Sequence, residues 1–307
     1  MNYSFKVNGN ELTSEQKSVL NNFLYSIKKK SNVEFIFRGE SAENLRSKLN
    51  IKDHEDLIER LNYFLFKIGE KGRVYQEKYF KQVKKKNIFS INDLNDDFIN
   101  YIFRKIKHVL KTSKDPEIKE FKILNEEFDM YFQSADNKKE FSKSIGSLPI
   151  NDKIKVRDYY LKFLHKVGEL GFNLNSFLLS TSTSEIAVEA FTAQEDFKFV
   201  SWSSSDGKND KDILNKIKLP IIKSDIFIHQ KEITIKGALF PQDILGFVEI
   251  SSNIFHVNPN LFNFPELSDY MIINGIPTDQ TDFFEVNSLT NYQSSLTRNG
   301  DKFEDTN

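Results

Sequence analysis

From about residue 41 to residue 172 apolar side chains recur at helical spacing, and the sequence on either side of that stretch is β-type. No other feature constrains the fold as strongly. A chain built this way has to join two separated strand regions around a helical segment, which makes it α+β. Within the segment Leu57, Leu61, Phe64, Leu65 and Ile68 form one stripe. Phe98, Ile99, Ile102, Phe103, Ile106 and Leu110 form a second. Tyr159, Tyr160, Phe163, Leu164 and Val167 form a third, with His165 beside it. Only Pro116 and Pro149 interrupt this stretch.

Before it, Ser14 opens a helical pattern through Val19, Leu20, Phe23, Leu24 and Ile27, with Lys28–Lys30 where cations suit a helix end. Val33–Phe37 then alternates as a strand and ends at Arg38-Gly39-Glu40. After it come short β-type runs at Ser176–Ser180, Lys198–Trp202, Ile213–Leu219, Ile226–Ile228, Glu232–Ile235, Ile244–Ile250 and Tyr270–Ile273. The expected organisation is 1–40 as the first part of a core, 41–172 as a helical insertion, and 173–277 as the rest of the core. Residues 278–307, with six acids against Arg298 and Lys302, form a polar, partly disordered tail.

Composition removes several classes. There is no Cys, which excludes disulfides, thiolate metal sites and thiol nucleophiles. The 43 Lys and Arg against 44 Asp and Glu exclude a uniformly basic coat but leave room for a local basic face. The first 30 residues hold no apolar leader, and no run approaches the roughly 18 apolar residues of a membrane span. The expectation is a cytoplasmic protein without a membrane partner. The five His residues (54, 108, 165, 229, 256) have no metal-ligand spacing, and neither a P-loop nor a dinucleotide-binding glycine pattern is present, so no metal is expected.

Three pieces of the strand-rich parts carry candidate chemistry. Phe37-Arg38-Gly39-Glu40 sets an Arg and a permissive Gly at a strand end. Ser180-Thr181-Ser182 ends an apolar run and precedes a helical pattern through Ala187 and Phe191. Gln230-Lys231-Glu232 opens a strand, and spacing of two puts Gln230 and Glu232 on one face. Each has a structural reading of its own: an exposed Arg, N-capping hydroxyls, a polar strand face.

In this order the three pieces resemble the ADP-ribosyltransferase superfamily, in the branch with an Arg–Ser-Thr-Ser–Gln/Glu-x-Glu signature. The resemblance covers roughly residues 33–40 and 173–250. It implies a split β-sandwich core, NAD as co-substrate and mono-ADP-ribosyl transfer, with the helical segment as a large insertion. Breaking the N-glycosidic bond of NAD leaves positive charge on the ribose, as in glycoside hydrolysis. By resemblance Glu232 stabilises that charge. Arg38 and Gly39 belong to the NAD site, and Arg38 supplies a planar, always-charged fork. Ser180 orients Glu232 and the ribose; Thr181 and Ser182 support the strand pair. Trp202 falls in the loop 196–210 that closes over the cofactor. Phe227 sits where an aromatic meets the acceptor, and Ile213–Pro220 looks like the strand before the acceptor loop.

Gln230 bears on the acceptor. Family members that modify arginine carry Glu here, whereas Gln offers a neutral amide that orients an asparagine amide or a base amino group. Residues 71–111 hold eleven bases against four acids, a local excess of seven positive charges, interleaved with Tyr75, Tyr79, Phe80 and Phe89. Such a stretch attracts phosphates and stacks bases. Lys84, Lys85 and Lys86 are its densest part. The favoured acceptor is therefore nucleic acid, RNA before DNA, with an asparagine-type protein acceptor as the alternative. A pure NAD glycohydrolase and a catalytically inert RNA-binding adaptor are the rival classes. The expected setting is an intracellular toxin or defence effector with a cognate antitoxin or inhibitor.

Overall fold

The computed structural model describes residues 3–29, 33–49, 51–52, 56–70, 94–168, 178–189, 192–193, 196–204, 210–236, 239, 241–263 and 302–303. In chain order these form β1 (Ser4–Val7), β2 (Asn10–Glu11), α1 (Ser14–Lys29), β3 (Val33–Glu40), α2 (Ala42–Leu49), α3 (Leu57–Tyr63) and a π-helical turn (Phe64–Ile68). The helices α4 (Asp96–Thr112), α5 (Pro116–Leu124), α6 (Glu126–Gln133), α7 (Asn137–Gly146) and α8 (Ile150–Lys166) follow. Then come β4 (Leu178–Ser182), α9 (Glu185–Glu189), β5 (Phe197–Ser204), α10 (Asp210–Lys216), a 3-10 turn (Ile228–Gln230) and β6 (Glu232–Lys236). The series closes with β7 (Ile244–Glu249), β8 (Ile254–Val257), α11 (Asn260–Asn263) and the two-residue β9 (Lys302–Phe303). No helix among the described residues is long and apolar enough to cross a membrane. The class is α+β.

The chain forms two compact units: Met1–Val83, Leu179–Asp206 and Gln230–Lys302 in one, Lys84–Leu178, Gly207–His229 and Phe303–Asn307 in the other. The first is built on a mixed sheet of strand order β2-β1-β8-β7-β5-β3-β4-β6-β9. β1 and β8 run parallel; β1 is antiparallel to β2, β3 to both β4 and β5, and β7 to β5 and β8. Among the described residues hydrogen bonding runs unbroken through this order, rather than dividing into the two sheets that a split sandwich implies. The register shifts between Val200 and Ser201 where β5 meets β7. A bulge of this kind bends a sheet without ending it.

One sheet face is closed by α2, α3 and the π-turn. Leu45, Leu57, Leu61, Phe64, Leu65 and Phe66 pack there against Ile36, Leu179, Phe199, Ile233, Ile235 and Phe247. The stripe from Leu57 therefore belongs to the sheet unit, not to the helical one. The opposite face takes α1 and α9. Trp202 meets Phe23 of α1 edge to face at 6.4 Å.

The helical unit is held by aromatics packed in tilted and edge-to-face pairs. Phe103, Phe121, Phe128, Phe132, Phe141, Tyr160 and Phe163 are all almost wholly buried, with ring centroids as close as 4.8 Å (Phe128–Phe132). Its helices start where capping dictates. Asn95 Oδ1 accepts from Phe98 N at 2.8 Å, and Asp115 Oδ1 accepts from Glu117 N at 2.9 Å with Pro116 in the first turn.

Two expected strands are corrected. Ile213–Leu219 is helix α10 through Lys216, followed by a turn. Ile213, Leu214 and Ile217 fit helical spacing as well as a β run, and only Leu214 is fully buried. Ile226–Ile228 contains no strand, and its last residue opens the 3-10 turn. The tail beyond residue 263, Tyr270–Ile273 included, lies outside the described residues apart from Lys302–Phe303.

Candidate functional site

β3, β4 and β6 are consecutive in the sheet, so the three motif pieces lie on neighbouring strands. β3 continues to Glu40, which makes Arg38 an inner residue of the strand and not its end. Its Nη1 donates to the backbone oxygen of Ser180 at 2.8 Å. Nε and Nη2 both donate to Glu40 Oε1, at 3.0 and 2.5 Å. Glu70 Oε1 lies 3.9 Å from Nε, with its side chain only 1% exposed. Burial pulls the Arg38 pKa down, but Glu40, Glu70 and then Glu232 outweigh it, and the guanidinium stays charged beyond its usual range. The side chain keeps 23% exposure. Three of its five N–H groups are used in these bonds, which leaves two for a ligand.

The hydroxyl triplet ties strands together. Thr181 Oγ1 donates to Ile233 O and Ser182 Oγ to Gln230 O, each at 2.6 Å. Thr183 N adds a bond to Lys231 O at 3.1 Å. Ser184, next in line, caps α9 through Ala187 N at 3.3 Å. Thr181 and Ser182 are buried and Ser180 is half-buried. Capping thus falls to Ser184, and the two inner hydroxyls fasten β4 to the segment carrying Gln230 and Glu232.

Glu232 is buried and accepts from Thr234 Oγ1 at 3.1 Å. That bond fixes the carboxylate on its strand. Gln230 is half-buried, and among the described residues no partner holds its side-chain amide, although its backbone oxygen is bonded. Lys231 between them has φ 45°, a left-handed conformation that a non-glycine residue adopts at a cost.

The remaining expected residues divide. Gly39 has a packing reason: a Cβ there would collide with Thr192 Cγ2 and come 3.2 Å from Val188 Cγ1, so α9 sits on β3 only because the position is bare. Trp202 is on β5, 2% exposed and packed against Phe23, not in a loop. Its indole is core, which leaves it no free face for a cofactor. Phe227 belongs to the helical unit, where it is half-buried with φ 57° and its ring stands edge-on to His229. Lys84, Lys85 and Lys86 lie outside the described residues, as does all of 71–93.

Glu40 and Glu70 are the site residues that the sequence did not single out. Glu40 follows Arg38-Gly39 directly, and its role as the guanidinium's partner shows only in the folded strand. Glu70 reaches Arg38 only because Gly69, at φ 88°, turns the chain after the π-turn, and because Glu70 bridges to Leu239. A second charged cluster was also missed. Lys198, almost fully buried, pairs with Glu185 and, at 3.3 Å, with Glu189 of α9, and donates to Tyr3 Oη at 3.2 Å.

Chemically, the strands gather a preorganised guanidinium with spare donors and a buried carboxylate; the neutral amide of Gln230 comes from the 3-10 turn before β6, and with Lys231 left-handed between them the strand face expected to carry both Gln230 and Glu232 does not form. Comparison of the chain with protein-family models, with curated proteins and with solved structures finds no match.

Proposed function

We propose that this protein is a mono-ADP-ribosyltransferase that moves ADP-ribose from NAD to a macromolecular acceptor. The observation that carries the reading is the adjacency of β3, β4 and β6. It gathers Arg38, Ser180–Ser182 and Glu232 on neighbouring strands, with Arg38 bonded to Ser180 across 142 residues of chain. The sheet with its bulge between β5 and β7 serves in this reading as the transferase core.

In the reaction the C1′–N bond of NAD breaks and nicotinamide leaves with the bonding pair. The positive charge left on the ribose meets the carboxylate of Glu232, fixed beforehand by Thr234. Arg38, held by Glu40 and the Ser180 carbonyl, has two N–H groups for a phosphate or ribose oxygen. The acceptor nitrogen forms the new bond to C1′ and gives up a proton. The amide of Gln230, unengaged within the described chain, suits an acceptor amide or base amino group.

We favour RNA as acceptor on the charge excess of residues 71–111, with Lys84, Lys85 and Lys86 as phosphate contacts. In this reading the protein works in the cytoplasm as a toxin or defence effector, and a cognate antitoxin is expected by analogy. The test is incubation with labelled NAD and a whole-cell lysate, followed by ribonuclease, deoxyribonuclease or protease. Label released by ribonuclease supports the full reading. Label destroyed only by protease moves the acceptor to protein. Nicotinamide release without retained label means hydrolysis, and no nicotinamide release at all defeats the assignment.

A further inference from the structure

Helix α5 ends at Leu124 and α6 begins at Glu126, with Asn125 alone between them at φ −127° and ψ 48°. Helical hydrogen bonding passes through this joint: Asn125 N donates to Phe121 O at 2.8 Å, and Asp129 N to Asn125 O at 3.0 Å. The buried side chain of Asn125 fixes it further. Its Oδ1 accepts from Lys223 N and Ser224 N at 2.6 and 3.0 Å, while Nδ2 donates to Ser224 O and Phe121 O, both at 2.8 Å. On the inner side Phe121 meets Phe128 edge to face at 5.6 Å. Lys122 Nζ lies 3.7 Å from Asp129 Oδ2 across the same joint. Within the helical unit the two helices therefore act as one bent rod whose inner face is core.

The outer face of this rod carries apolar side chains in water. Ile123, Leu124 and Met130 are 79%, 48% and 65% exposed, all within eight residues of chain. Single exposed apolar residues are ordinary, whereas a group of them marks an interaction surface. Ile123 and Met130 are seven apart, and Glu127 stands four after Ile123. That is the i, i+4, i+7 stripe by which one helix lies along another. The surroundings are acidic: residues 115–130 hold Asp115, Glu117, Glu120, Glu126, Glu127 and Asp129 against Lys119 and Lys122. Glu127 bonds only the exposed Lys223, at 3.0 Å, and Glu120 and Glu126 have no partner among the described residues. This rim decides the occupant. Phosphates of a nucleic acid and anionic lipid headgroups are repelled by it. Lysines and arginines flanking an apolar stripe complement both parts of it.

We propose that the outer face of α5 and α6 is a docking surface for a protein partner that presents a cationic amphipathic helix. The partner's apolar stripe covers Ile123, Leu124 and Met130, and its flanking cations meet Glu120, Glu126 and Glu127. The surface lies wholly within the helical unit, and the proposal stands independently of the ADP-ribosyl transfer reading. Because Asn125 holds the joint in advance, little ordering opposes docking on this side.

The experiment titrates the full-length protein with a synthetic helix of Leu and Lys, about 18 residues or five turns long, with its leucines on one face. The controls are a scrambled peptide of the same composition and a Leu–Glu peptide of the same pattern. The variants are Ile123→Ser with Met130→Ser, and Glu126→Gln with Glu127→Gln, all at exposed positions. Expected is saturable one-to-one binding of the Leu–Lys helix to the parent, at least tenfold tighter than either control. The Ser pair should weaken it at least tenfold. The Gln pair should weaken it at least threefold and flatten its salt dependence. Amide exchange should slow on 117–131 when the peptide is bound. No saturable binding overturns the proposal. So does undiminished affinity in both variants, which places the peptide on other acids such as those of 278–307. Loss in the Ser pair alone removes the cationic requirement and likewise overturns it. If the parent self-associates and the Ser pair does not, the face belongs to a second copy. If the parent binds anionic vesicles and the Ser pair does not, the face belongs to a membrane; both results overturn the proposal. Should the Ser pair fail to fold, Met130→Ser alone decides by the same criteria.

Discussion

Arg38 and Ser180, 142 residues apart in sequence, are joined by a 2.8 Å hydrogen bond from the guanidinium to a main-chain oxygen. The acceptor is backbone, so the bond depends on the course of β4 and not on the identity of residue 180. Arg38 thus links two strands in addition to any contact with a ligand, and its variants should affect both stability and binding.

Arg38→Ala removes the cation bonded to Glu40 and 3.9 Å from Glu70, both buried. Breaking a buried charged pair from one side costs about 3–5 kcal/mol, and chemical denaturation should read a loss of that order. Arg38→Lys recovers part of the stability but not the NAD affinity, because one ammonium cannot bond Glu40 twice, meet the Ser180 oxygen and still present a fork. Calorimetry giving equal NAD affinity for parent and Arg38→Lys would remove Arg38 from the NAD site.

Glu232→Gln should lower nicotinamide release by about 10²–10³, the usual loss for a preorganised electrostatic group. The amide keeps the shape and an oxygen for Thr234 Oγ1, so the melting temperature should stay close to that of the parent. Near-parental turnover in a well-folded Glu232→Gln protein would refute the mechanism.

Gly39→Ala tests packing. The new methyl runs into Thr192 and Val188 and pushes α9 off β3. Overpacking of this kind costs about 1–3 kcal/mol. Adding Thr192→Ser removes the nearest methyl and should restore part of it. A Gly39→Ala protein as stable as the parent, with reduced NAD binding, would instead assign Gly39 to the ligand.

The cluster of Lys198, Glu185 and Tyr3 gives a pH prediction. Burial raises the Glu185 pKa, but the hydrogen bonds from Lys198 and Tyr3 outweigh it, leaving a value below the ordinary 4.5. Its stabilisation is present above about 4.5 and lost as pH falls through the folded value. Lys198 is lowered by burial yet raised more by Glu185 and Tyr3, and ends above 10.5; Tyr3 is raised above 10.0 by burial and by Glu185. Both stabilisations are full below those ordinary values and are lost as pH rises through the folded ones. Urea midpoints of Lys198→Met should therefore vary less with pH than those of the parent at both ends of the scale. Parallel curves would show that the cluster contributes nothing.

Much of this was legible because periodicity reports burial. The stripes from Leu57, Phe98 and Tyr159 supply buried faces of α3 with its π-turn, α4 and α8, and β3 to β7 each overlap a run read as strand. β1 and β8 were not legible, since Ser4–Val7 and Ile254–Val257 are four residues each and gain their strand character by pairing with one another. Sequence order says nothing of what lies across a sheet, so the packing of Trp202 on Phe23 and of Gly39 under Thr192 does not show in the motifs. Glu70 and Asn125 stand in ordinary polar contexts. Their importance comes from long-range partners, Arg38 for one and residues 223–224 for the other.

The strand order also fixes a timetable. β1 lies beside β8, so a strand made within the first ten residues cannot be seated until the ribosome has passed residue 257. At about 5–20 residues per second, that waiting time is on the order of ten seconds or more. β6, which brings Glu232 beside β4, is equally late. A nascent chain therefore carries Arg38 and the hydroxyl triplet before β6 has been made to bring Glu232 beside them.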